Sequence, residues 1–391
     1  MNTIQADVLI VGGGPAGLAA AAELRRLGAG RVLVGDREKE AGGIPRHSNH
    51  IGFGIRDMHR FLSGPAYAAR YVRLAEKQGV DILTETTITG WQGSACLTAT
   101  APNGLSVIQA KAVILATGCR DRPRSARLIP GSRPSGVLTT GALQNFVYLH
   151  HQKVGNRAVV VGADHVGFSA VMTLKHAGAQ VLAVVTELPR HQSFFHYKLI
   201  SADRYRVPVL TNMKVTNIVG KRRVECVELT NLVDGSVRQL ECDTIVFTGG
   251  WIPDYELAFY GGLAIDPKLK GPRVNQRLQT SVKGVFAAGN LIHAAETADI
   301  AALSGRYAAQ SVIRYLNTDE WGASLPIEYD EPIYWISPGA IAPGALAVPH
   351  GTFILRVTQV LARPTLEVWQ GERCLWRKQY RQLVPNLPVY G

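Results

Sequence analysis

The sequence lacks the cysteine arrangements on which several redox mechanisms depend. Its five cysteines are Cys96, Cys119, Cys226, Cys242 and Cys374, and no two of them form a C-x-x-C pair. They are also not spaced as the four ligands of an iron–sulfur cluster or a zinc ion. We therefore expect buried or half-buried thiols in a reducing compartment. We also expect no metal site and no iron–sulfur cluster ligated by this chain alone.

Long hydrophobic runs and targeting signals are lacking as well. No run of 18 apolar residues is present, which argues against a membrane span. The first residues, MNTIQADVLIVGGG, lack a basic region followed by a small-residue cleavage site, so secretion is not indicated. We predict a globular, cytoplasmic protein that associates with a membrane, if at all, through a partner.

Acidic residues are few relative to basic ones, 30 against 42, and the formal net charge is +12. The basic residues are dispersed, as in RDRPRSAR (120–127), without zinc-finger spacing or an aromatic RNA-binding motif. Nucleic-acid binding is therefore not favoured. Anionic cofactors and a complementary subunit explain the charge more simply.

A complete dinucleotide-binding unit is present at residues 7–38. A short apolar strand leads into Gly12, Gly14 and Gly17, which form the pattern G-x-G-x-x-G, and an alanine-rich helix follows. The glycines allow a tight turn, approach of the backbone to a pyrophosphate, and packing of the helix on the strand. A second strand, RVLVG, ends at Asp36, which would accept a hydrogen bond from a ribose.

A second unit of this kind, at residues 156–187, departs from the pattern at one position. Gly162 and Gly167 keep their places and Glu187 follows the second strand, but Asp164 replaces the middle glycine. A side chain there blocks backbone approach. Repulsion between unit charges about 4 Å apart costs roughly 4 kcal/mol at an effective dielectric constant near 20, which is close to a thousandfold in affinity.

This degenerate site leaves three alternatives open. The second domain is retained as a scaffold without nucleotide, or it holds a different adenine nucleotide in a shifted pose, or it binds NAD(P)H productively. We favour the scaffold and regard NAD(P)H as unlikely. Protonation of Asp164, or its pairing with His165, would reduce the repulsion without restoring the missing space.

Two further strands end in glycine: AVILATGCRDRP (112–123) contains Ala-Thr-Gly, and GVFAAGNLIH (284–293) contains Gly289-Asn290. With these segments the chain resembles the two-dinucleotide-domain flavoproteins that include thioredoxin and glutathione reductases. The resemblance implies FAD in the first domain and a nicotinamide-type domain inserted after the Ala-Thr-Gly strand. Asn290 replaces an acid of the family that binds the ribityl chain, and an amide can still hydrogen-bond a hydroxyl.

The same resemblance implies the fold and the FAD contacts. We expect an α/β protein with two doubly wound, Rossmann-like domains, one inserted in the other, and a small C-terminal β unit. The expected boundaries are 1–120 with 275–325 for the FAD domain, 121–274 for the degenerate nucleotide domain and 326–391 for the tail. A helix over 295–312 should direct its N-terminus at the flavin. The residues expected to bind FAD are Gly12, Gly14, Pro15, Ala16, Gly17, Asp36, Arg37, Gly43, Arg46, Thr117, Gly118, Gly289, Asn290 and Ala298.

The loop AGGIPRHSNHIGFGIRD (41–57) has no cysteine at the place where related disulfide reductases carry a pair. A thioredoxin-reductase or glutathione-reductase mechanism is therefore excluded, and the flavin needs another donor and acceptor. Arg46, His47 and His50 are weak catalytic candidates, as an anion contact and as proton relays. The interpretation that we favour is a loop packed under FAD with solvent-facing histidines. We likewise expect Asp299 to be a surface helix residue rather than a group at the flavin edge.

Longer segments are similar to a narrower group. GGIPRHSNHIGFGIRDMHRFLSGPAYAAR (42–70), TGCRDRPRSARLIPGSRPSGVLTTGALQ (117–144), VVVGADHVGFSA (159–170) and FTGGWIPDYELA (247–258) resemble the alpha subunits of bacterial heteromeric dehydrogenases. That family includes opine oxidases, D-hydroxyproline and dye-linked proline dehydrogenases, and hydrogen cyanide synthase, and the similarity covers roughly residues 5–315.

This narrower resemblance implies partners. A second FAD-containing subunit of the amino-acid-oxidase type would oxidise the amine, and a small [2Fe-2S] subunit is present in some members. Two alternatives of other classes stay open: a self-sufficient NAD(P)H-dependent flavin oxidoreductase, and a nucleotide-binding scaffold subunit without its own catalysis.

The pattern changes after about residue 325. Residues 336–351 are rich in proline and glycine and indicate an irregular connector. The alternation of apolar and polar residues over 351–391 predicts two to four antiparallel strands. Trp369 and Trp376 would either anchor a subunit interface or cover the chain's own sheet.

Overall fold

The computed structural model describes residues 2–294, 296–344 and 349–390. The elements before residue 150 are, in chain order, β1 (Asn2–Gln5), β2 (Val8–Val11), α1 (Pro15–Arg26), β3 (Val32–Gly35), β4 (Ile51–Phe53), β5 (Leu62–Ser63), α2 (Gly64–Lys77), β6 (Asp81–Leu83), β7 (Thr87–Gly93), β8 (Cys96–Ala101), β9 (Gly104–Gln109), β10 (Ala112–Leu115), β11 (Cys119–Asp121), β12 (Val137–Thr139) and α3 (Thr140–Gln144).

Between residues 151 and 260 they are β13 (Arg157–Val161), α4 (His165–His176), β14 (Gln180–Val185), α5 (Phe195–Lys198), β15 (Val209–Leu210), β16 (Met213–Gly220), β17 (Val224–Asn231), β18 (Val237–Glu241), β19 (Thr244–Phe247), β20 (Trp251–Pro253) and α6 (Glu256–Tyr260). Beyond residue 260 they are β21 (Val285–Ala287), α7 (Ala298–Thr318), β22 (Leu325–Pro326), β23 (Ile333–Ser337), β24 (Ala340–Ile341), β25 (Ile354–Val357), β26 (Leu361–Ala362), β27 (Thr365–Gln370), β28 (Arg373–Gln379), β29 (Gln382–Leu383) and β30 (Val389–Tyr390).

The first parallel sheet has the strand order β21-β10-β2-β3-β6. Its central strands β2, β3 and β10 are buried at every position, which is why they consist of uninterrupted apolar residues rather than an alternating pattern. Helices α1 and α7 pack on this sheet and share its hydrophobic core. Because β21 pairs with β10 across a long stretch of sequence, this sheet is built from two separated parts of the chain.

The second parallel sheet has the order β12-β19-β13-β14-β15 and is built entirely from the intervening sequence. An antiparallel sheet, β16-β17-β18, packs on it and shares a core that includes Val159, Ile245 and Leu229. The two domains are joined by the antiparallel pair β11 and β20. The chain is therefore a mixed α/β protein with two dinucleotide-binding folds, as predicted.

The third unit differs from the prediction in detail. Six strands, β25 to β30, lie in the described part of 351–391, where two to four were expected. Strands of two residues, such as β26 and β29, are too short for alternation to reveal. The connector 336–351 also contains β24, and residues 345–348 of it lie outside the described residues. The third unit packs beside α7 through a cluster in which Trp335 and Ile354 contact Leu269, Ala294 and Ile300.

Other details of the sequence-based description need small revisions. Helix α7 extends to Thr318, six residues beyond the predicted end, and stops where Asp319 adopts a left-handed conformation. Trp369 is 52% exposed, whereas Trp376 is half-buried. Cys242 is buried and the other four cysteines are half-buried, as predicted. No helix in the described ranges is long and apolar enough to cross a membrane.

Candidate cofactor sites

The turn between β2 and α1 is shaped by close backbone contacts. Gly12 has φ +109°, and a Cβ there would lie 2.4 Å from the carbonyl oxygen of Ala116. A Cβ on Gly17 would lie 1.9 Å from the carbonyl oxygen of Gly12. Only glycine fits either position, so the strand and the helix approach as closely as a dinucleotide-binding turn requires.

The N-terminus of α1 is open to an anion. Gly14 is the N-cap residue and supplies no side-chain cap, and Pro15 and Ala16 form the first turn. The nearest heavy atom to a Cβ on Gly14 would be the Cα of Gly43, 4.0 Å away. The N–H groups of this first turn, together with the helix dipole, therefore fit a pyrophosphate. Gly43 packs against this turn, because a Cβ on it would lie 2.8 Å from the Cα of Gly14.

Asp36 lies at the carboxyl end of β3 beside the same turn. Its Oδ2 accepts a hydrogen bond from the Gly13 N–H at 2.6 Å and its Oδ1 accepts one from the Glu38 N–H at 2.8 Å. Each carboxylate oxygen can accept a second hydrogen bond, so a ribose hydroxyl fits here. The Arg37 side chain is largely exposed and lies 3.6 Å from the carboxylate of Asp254.

Four more of the predicted FAD contacts, Thr117, Gly118, Gly289 and Asn290, lie just beyond the ends of β10 and β21. The Thr117 hydroxyl donates to the Asp254 carbonyl at 2.7 Å, and no heavy atom lies within 4 Å of a Cβ placed on Gly118. The Gly289 N–H donates to Ser304 at 3.1 Å.

Asn290 has a structural role that the sequence did not indicate. Its amide nitrogen donates to the Glu296 carbonyl at 3.0 Å, and its oxygen accepts from the Glu296 N–H at 3.2 Å. These bonds fix the loop before α7, which begins at Ala298. The second proton of the Asn290 amide remains a donor for a hydroxyl.

The histidines of loop 41–57 are not both solvent-facing, in contrast to the prediction. His47 is only 7% exposed, and burial, with help from the charge of Arg46, lowers its pKa to about 4. His50 is half-buried, its ring lies 5.1 Å from that of Phe53, and burial lowers its pKa. His47 is thus a neutral imidazole at pH 7.

Arg46 is engaged by a neighbour in the chain. Its guanidinium donates to the Glu40 carbonyl at 2.8 Å and to the Glu40 carboxylate at 3.2 Å. An anion contact through Arg46 therefore competes with this pair.

Asp299 was expected at the helix surface, and that prediction is wrong. Its side chain is 3% exposed in the first turn of α7. The two carboxylate oxygens accept hydrogen bonds from the backbone N–H groups of Gly54 and Arg56, each at 2.8 Å. Asp299 therefore fastens loop 54–56 to the start of α7. The pattern of apolar residues in a helix cannot predict this contact, because Asp299 and Gly54 are 245 positions apart in sequence.

The second fingerprint keeps its backbone turn. Gly162 has φ +123°, and a Cβ there would lie 2.6 Å from both the carbonyl oxygen and the side chain of Thr248. A Cβ on Gly167 would lie 2.2 Å from the carbonyl oxygen of Gly162. Glu187 is exposed beyond the end of β14. The βαβ geometry of a nucleotide domain is thus intact.

Asp164 occupies the N-terminus of α4 with its own carboxylate. It is the N-cap residue, and its Oδ1 accepts from the Gly167 N–H at 2.8 Å and from the Thr248 hydroxyl at 3.1 Å. The side chain is buried, and burial raises its pKa. Asp164 does not pair with His165, whose ring nitrogen lies 2.6 Å from the Ser193 hydroxyl. The carboxylate therefore takes up donors that a phosphate would need.

Two charged side chains that sequence reasoning missed lie near Asp164. Asp121 accepts from the Gly141 N–H at 2.9 Å, and burial, with a contribution from the charge of Asp164, raises its pKa to about 6. Arg127 donates to the carbonyls of Thr248, at 2.9 Å, and Gly249. The segment RDRPRSAR contains both residues, but nothing in its pattern indicates which charges point inward. A pyrophosphate here would meet two acids and an arginine already bonded to carbonyls.

The third unit is attached beside α7. Arg356 of β25 forms an ion pair with Glu296, and the two side chains are 6% and 1% exposed. The Tyr390 hydroxyl of β30 donates to the Glu296 carboxylate at 3.4 Å and accepts from Arg56 at 2.9 Å. The loop fastened by Asp299 is therefore also held by the third unit.

Comparisons with known proteins agree with this architecture. A family model described as pyridine nucleotide-disulphide oxidoreductase matches residues 6–305. A ferredoxin–NADP reductase of Ignicoccus hospitalis is 25% identical over 81% of this chain and 99% of its own length. An opine oxidase subunit of Agrobacterium tumefaciens is 26% identical over 89% of this chain and 74% of its own length. The alpha subunit of sarcosine oxidase from Rhizobium meliloti is 26% identical over 79% of this chain, which spans only 30% of that protein.

Solved structures show the same fold at low identity. A thioredoxin reductase of T. acidophilum has a TM-score of 0.67 at 22% identity, covering 81% of this chain and 99% of its own. An L-proline dehydrogenase of P. horikoshii has a TM-score of 0.62 at 19% identity, covering 82% of this chain and 57% of its own.

Proposed function

The chain belongs to the pyridine nucleotide-disulphide oxidoreductase family, and we propose that it is the FAD-binding alpha subunit of a heteromeric flavin-dependent dehydrogenase. In this proposal the complex oxidises a carbon–nitrogen bond of an amino acid, an imino acid of the proline or hydroxyproline type, or an opine. The names of similar proteins support this choice: an opine oxidase subunit, the alpha subunit of sarcosine oxidase and L-proline dehydrogenase. Family membership itself implies a flavin oxidoreductase with FAD.

The observation that carries the proposal is the contrast between α1 and α4. Gly14 leaves the N-terminus of α1 uncapped by any side chain, whereas the carboxylate of Asp164 caps α4. The N-terminus of α1 fits the pyrophosphate of FAD, and the N-terminus of α4 disfavours the pyrophosphate of NAD(P)H. Without a cysteine pair in the chain, the flavin needs a donor and an acceptor from outside.

The chain's own residues would hold the cofactor and set its surroundings. The first turn of α1 would bind the pyrophosphate, Asp36 a ribose and Asn290 the ribityl chain. Bound FAD supplies the capacity to accept two electrons and to pass them on. His47 is neutral at pH 7, since burial lowers its pKa to about 4, so it adds no positive charge to loop 41–57.

The electrons and protons of the proposed reaction balance when a partner subunit oxidises the amine and a carrier or quinone accepts the electrons. Oxidation of a C–N single bond to an imine releases two electrons and two protons, and the electrons pass through flavins to a carrier or quinone. The pocket that reads the amine would lie on a second FAD-containing subunit of the amino-acid-oxidase type, with a small [2Fe-2S] subunit as a further component. Any iron–sulfur cluster of the complex would take its ligands mainly from that other chain.

A second candidate is a self-sufficient NAD(P)H-dependent flavin oxidoreductase. The similarity to a ferredoxin–NADP reductase over 99% of that protein's length favours it. This candidate requires NAD(P)H to bind despite Asp164. The two candidates therefore differ in whether NAD(P)H reduces the flavin of the isolated chain.

An anaerobic titration separates these candidates. The purified chain is titrated with NADH and NADPH while the visible absorbance of the flavin is followed. We expect the flavin to stay oxidised until an amine is added together with the co-purified partner. Stoichiometric bleaching by NADPH would contradict the proposal and support the second candidate. A chain that contains no flavin at all would indicate a scaffold subunit.

A further inference from the structure

We propose that the second dinucleotide crevice is a peptide-binding site, and that its ligand is the chain's own segment 382–390. Dinucleotides lie across the crevice outside the carboxyl ends of parallel strands, from the ribose contact after the second strand to the reacting ring. Segment 382–390 contacts the second domain near its ribose position and near its phosphate position, and it contacts the first domain at the junction of the two domains. The inference does not depend on which amine the proposed complex oxidises.

The first contact lies at the ribose end of the crevice. Arg190 follows β14 by five residues, close to Glu187, where a nucleotide-binding domain recognises its ribose. The guanidinium of Arg190 donates to the side-chain oxygen of Gln382. The segment thus begins where an adenosine would begin.

The second contact lies at the phosphate position. A Cβ placed on Gly249 would lie 3.0 Å from Oδ2 of Asp164 and 3.9 Å from Nδ2 of Asn386. The amide of Asn386 and the carboxylate that caps α4 therefore face the same spot. Asn386 has φ +64°, a turn conformation, and Leu383 before it is buried with Leu355 and Val357 in the core of the third unit, which holds this turn in place.

The third contact lies at the end that faces the first domain. The Tyr390 hydroxyl bonds to Arg56 and to Glu296, directly before α7. Arg356, the partner of Glu296, is close enough to α4 for its charge to lower the pKa of His165, after burial as the main cause. The segment thus runs from the ribose end, past the phosphate position, to the junction of the domains.

The chemistry of the crevice fits a neutral peptide better than a nucleotide. The residues QLVPNLPVY of the segment carry no ionisable group except the tyrosine hydroxyl. Asp121 and Asp164 repel a pyrophosphate but do not repel an uncharged peptide. A ligand tethered to the same chain also competes at a high effective concentration, so an external nucleotide binds more weakly.

Hydrogen–deuterium exchange on the intact, flavin-loaded chain tests this inference. We expect slow exchange at Asn386 and Leu387, which lie between β29 and β30, and fast exchange in the exposed hairpin of β27 and β28. Tyr390→Phe removes two side-chain hydrogen bonds and keeps the ring, so exchange at 386–390 should accelerate about tenfold. Arg190→Ala should accelerate exchange at 382–386 to a similar or smaller extent. The matched control is Arg222→Ala, an exposed arginine of the same domain, which should change nothing there.

Three results would overturn the inference. The first is exchange at Asn386 and Leu387 as fast as in the hairpin. The second is an Arg190→Ala variant that behaves like Arg222→Ala. The third is simultaneous binding of NADPH, detected by nicotinamide fluorescence, and slow exchange in the segment of the intact chain. The dinucleotide and the segment cannot occupy one crevice at the same time. None of these results bears on whether a partner and an amine reduce the flavin, so failure of this inference and failure of the proposed function are distinguishable.

Discussion

The ion pair between Arg356 and Glu296 allows a quantitative test of how the third unit is attached. Both side chains are almost fully buried, and the guanidinium lies 5.4 Å from the centre of the Trp335 ring. Arg356→Met keeps much of the side-chain length but leaves the carboxylate of Glu296 buried without its counter-charge. Breaking a buried pair in this way costs about 3–5 kcal/mol.

The assay is urea unfolding followed by tryptophan fluorescence, to which Trp335 in this contact contributes. The free energies of unfolding of the variant and the unaltered protein are compared, and the comparison is valid when both have the same slope of free energy against urea concentration. Lys283→Met is the matched control. Lys283 forms an ion pair with Asp319, with 2.5 Å between Nζ and Oδ2, and both side chains are exposed, so this pair should contribute less than about 1 kcal/mol. The double variant Arg356→Met with Glu296→Leu should recover most of the loss, since replacing both charges by apolar groups is often neutral. If Arg356→Met costs no more than Lys283→Met, the reasoning about this contact is wrong.

Three further predictions concern the cofactor site, the loop beside it and the second crevice. Gly14→Asp copies the second fingerprint into the first, so affinity for FAD should fall about a thousandfold, measured by reconstituting the apoprotein; unchanged flavin content would contradict this. Asp299→Asn replaces one acceptor oxygen by an NH2 donor and removes the charge from the other, so it should destabilise loop 54–56 by about 1.5–3 kcal/mol, visible as faster hydrogen exchange at Gly54 and Arg56 and nowhere in the second domain. The folded-state pKa of Asp121 is raised to about 6 from 3.8, so the folded state binds more protons and its stability falls as pH rises through this window. Asp121→Asn should remove this contribution of up to about 3 kcal/mol, and identical pH profiles for the two proteins would refute it.

Local sequence patterns were sufficient where a conformation depends on neighbouring residues. The buried strands β2, β3 and β10 appear as apolar runs, and the contacts at Gly12 and Gly17 allow no other residue. These features indicate a nucleotide-binding fold without knowledge of any distant contact. They also explain why the α/β class could be predicted although the strands of the third unit were miscounted.

Contacts between residues far apart in sequence could not be predicted in this way. Asp299 looks like any polar residue of an amphipathic helix until Gly54 and Arg56 are placed beside it. Tyr390 and Arg56 are 334 positions apart, and no periodicity links them. The burial of His47 likewise depends on how the second domain packs against loop 41–57, where Ser48 bonds to Gln144 at 3.2 Å. The sequence therefore indicates the types of side chain near the site but not which of them are already bonded to one another.

The two βαβ units of this chain differ chemically in one decisive place. Both have the positive-φ glycine, the close approach of helix to strand and a helix N-terminus at the same position of the turn. Gly14 leaves that N-terminus to an external anion, and Asp164 supplies an internal one. An internal carboxylate caps the helix without any ligand, so the second domain can stay folded and ordered when no nucleotide is bound. The domain then keeps its packing function, and its crevice is available to a neutral segment of the chain.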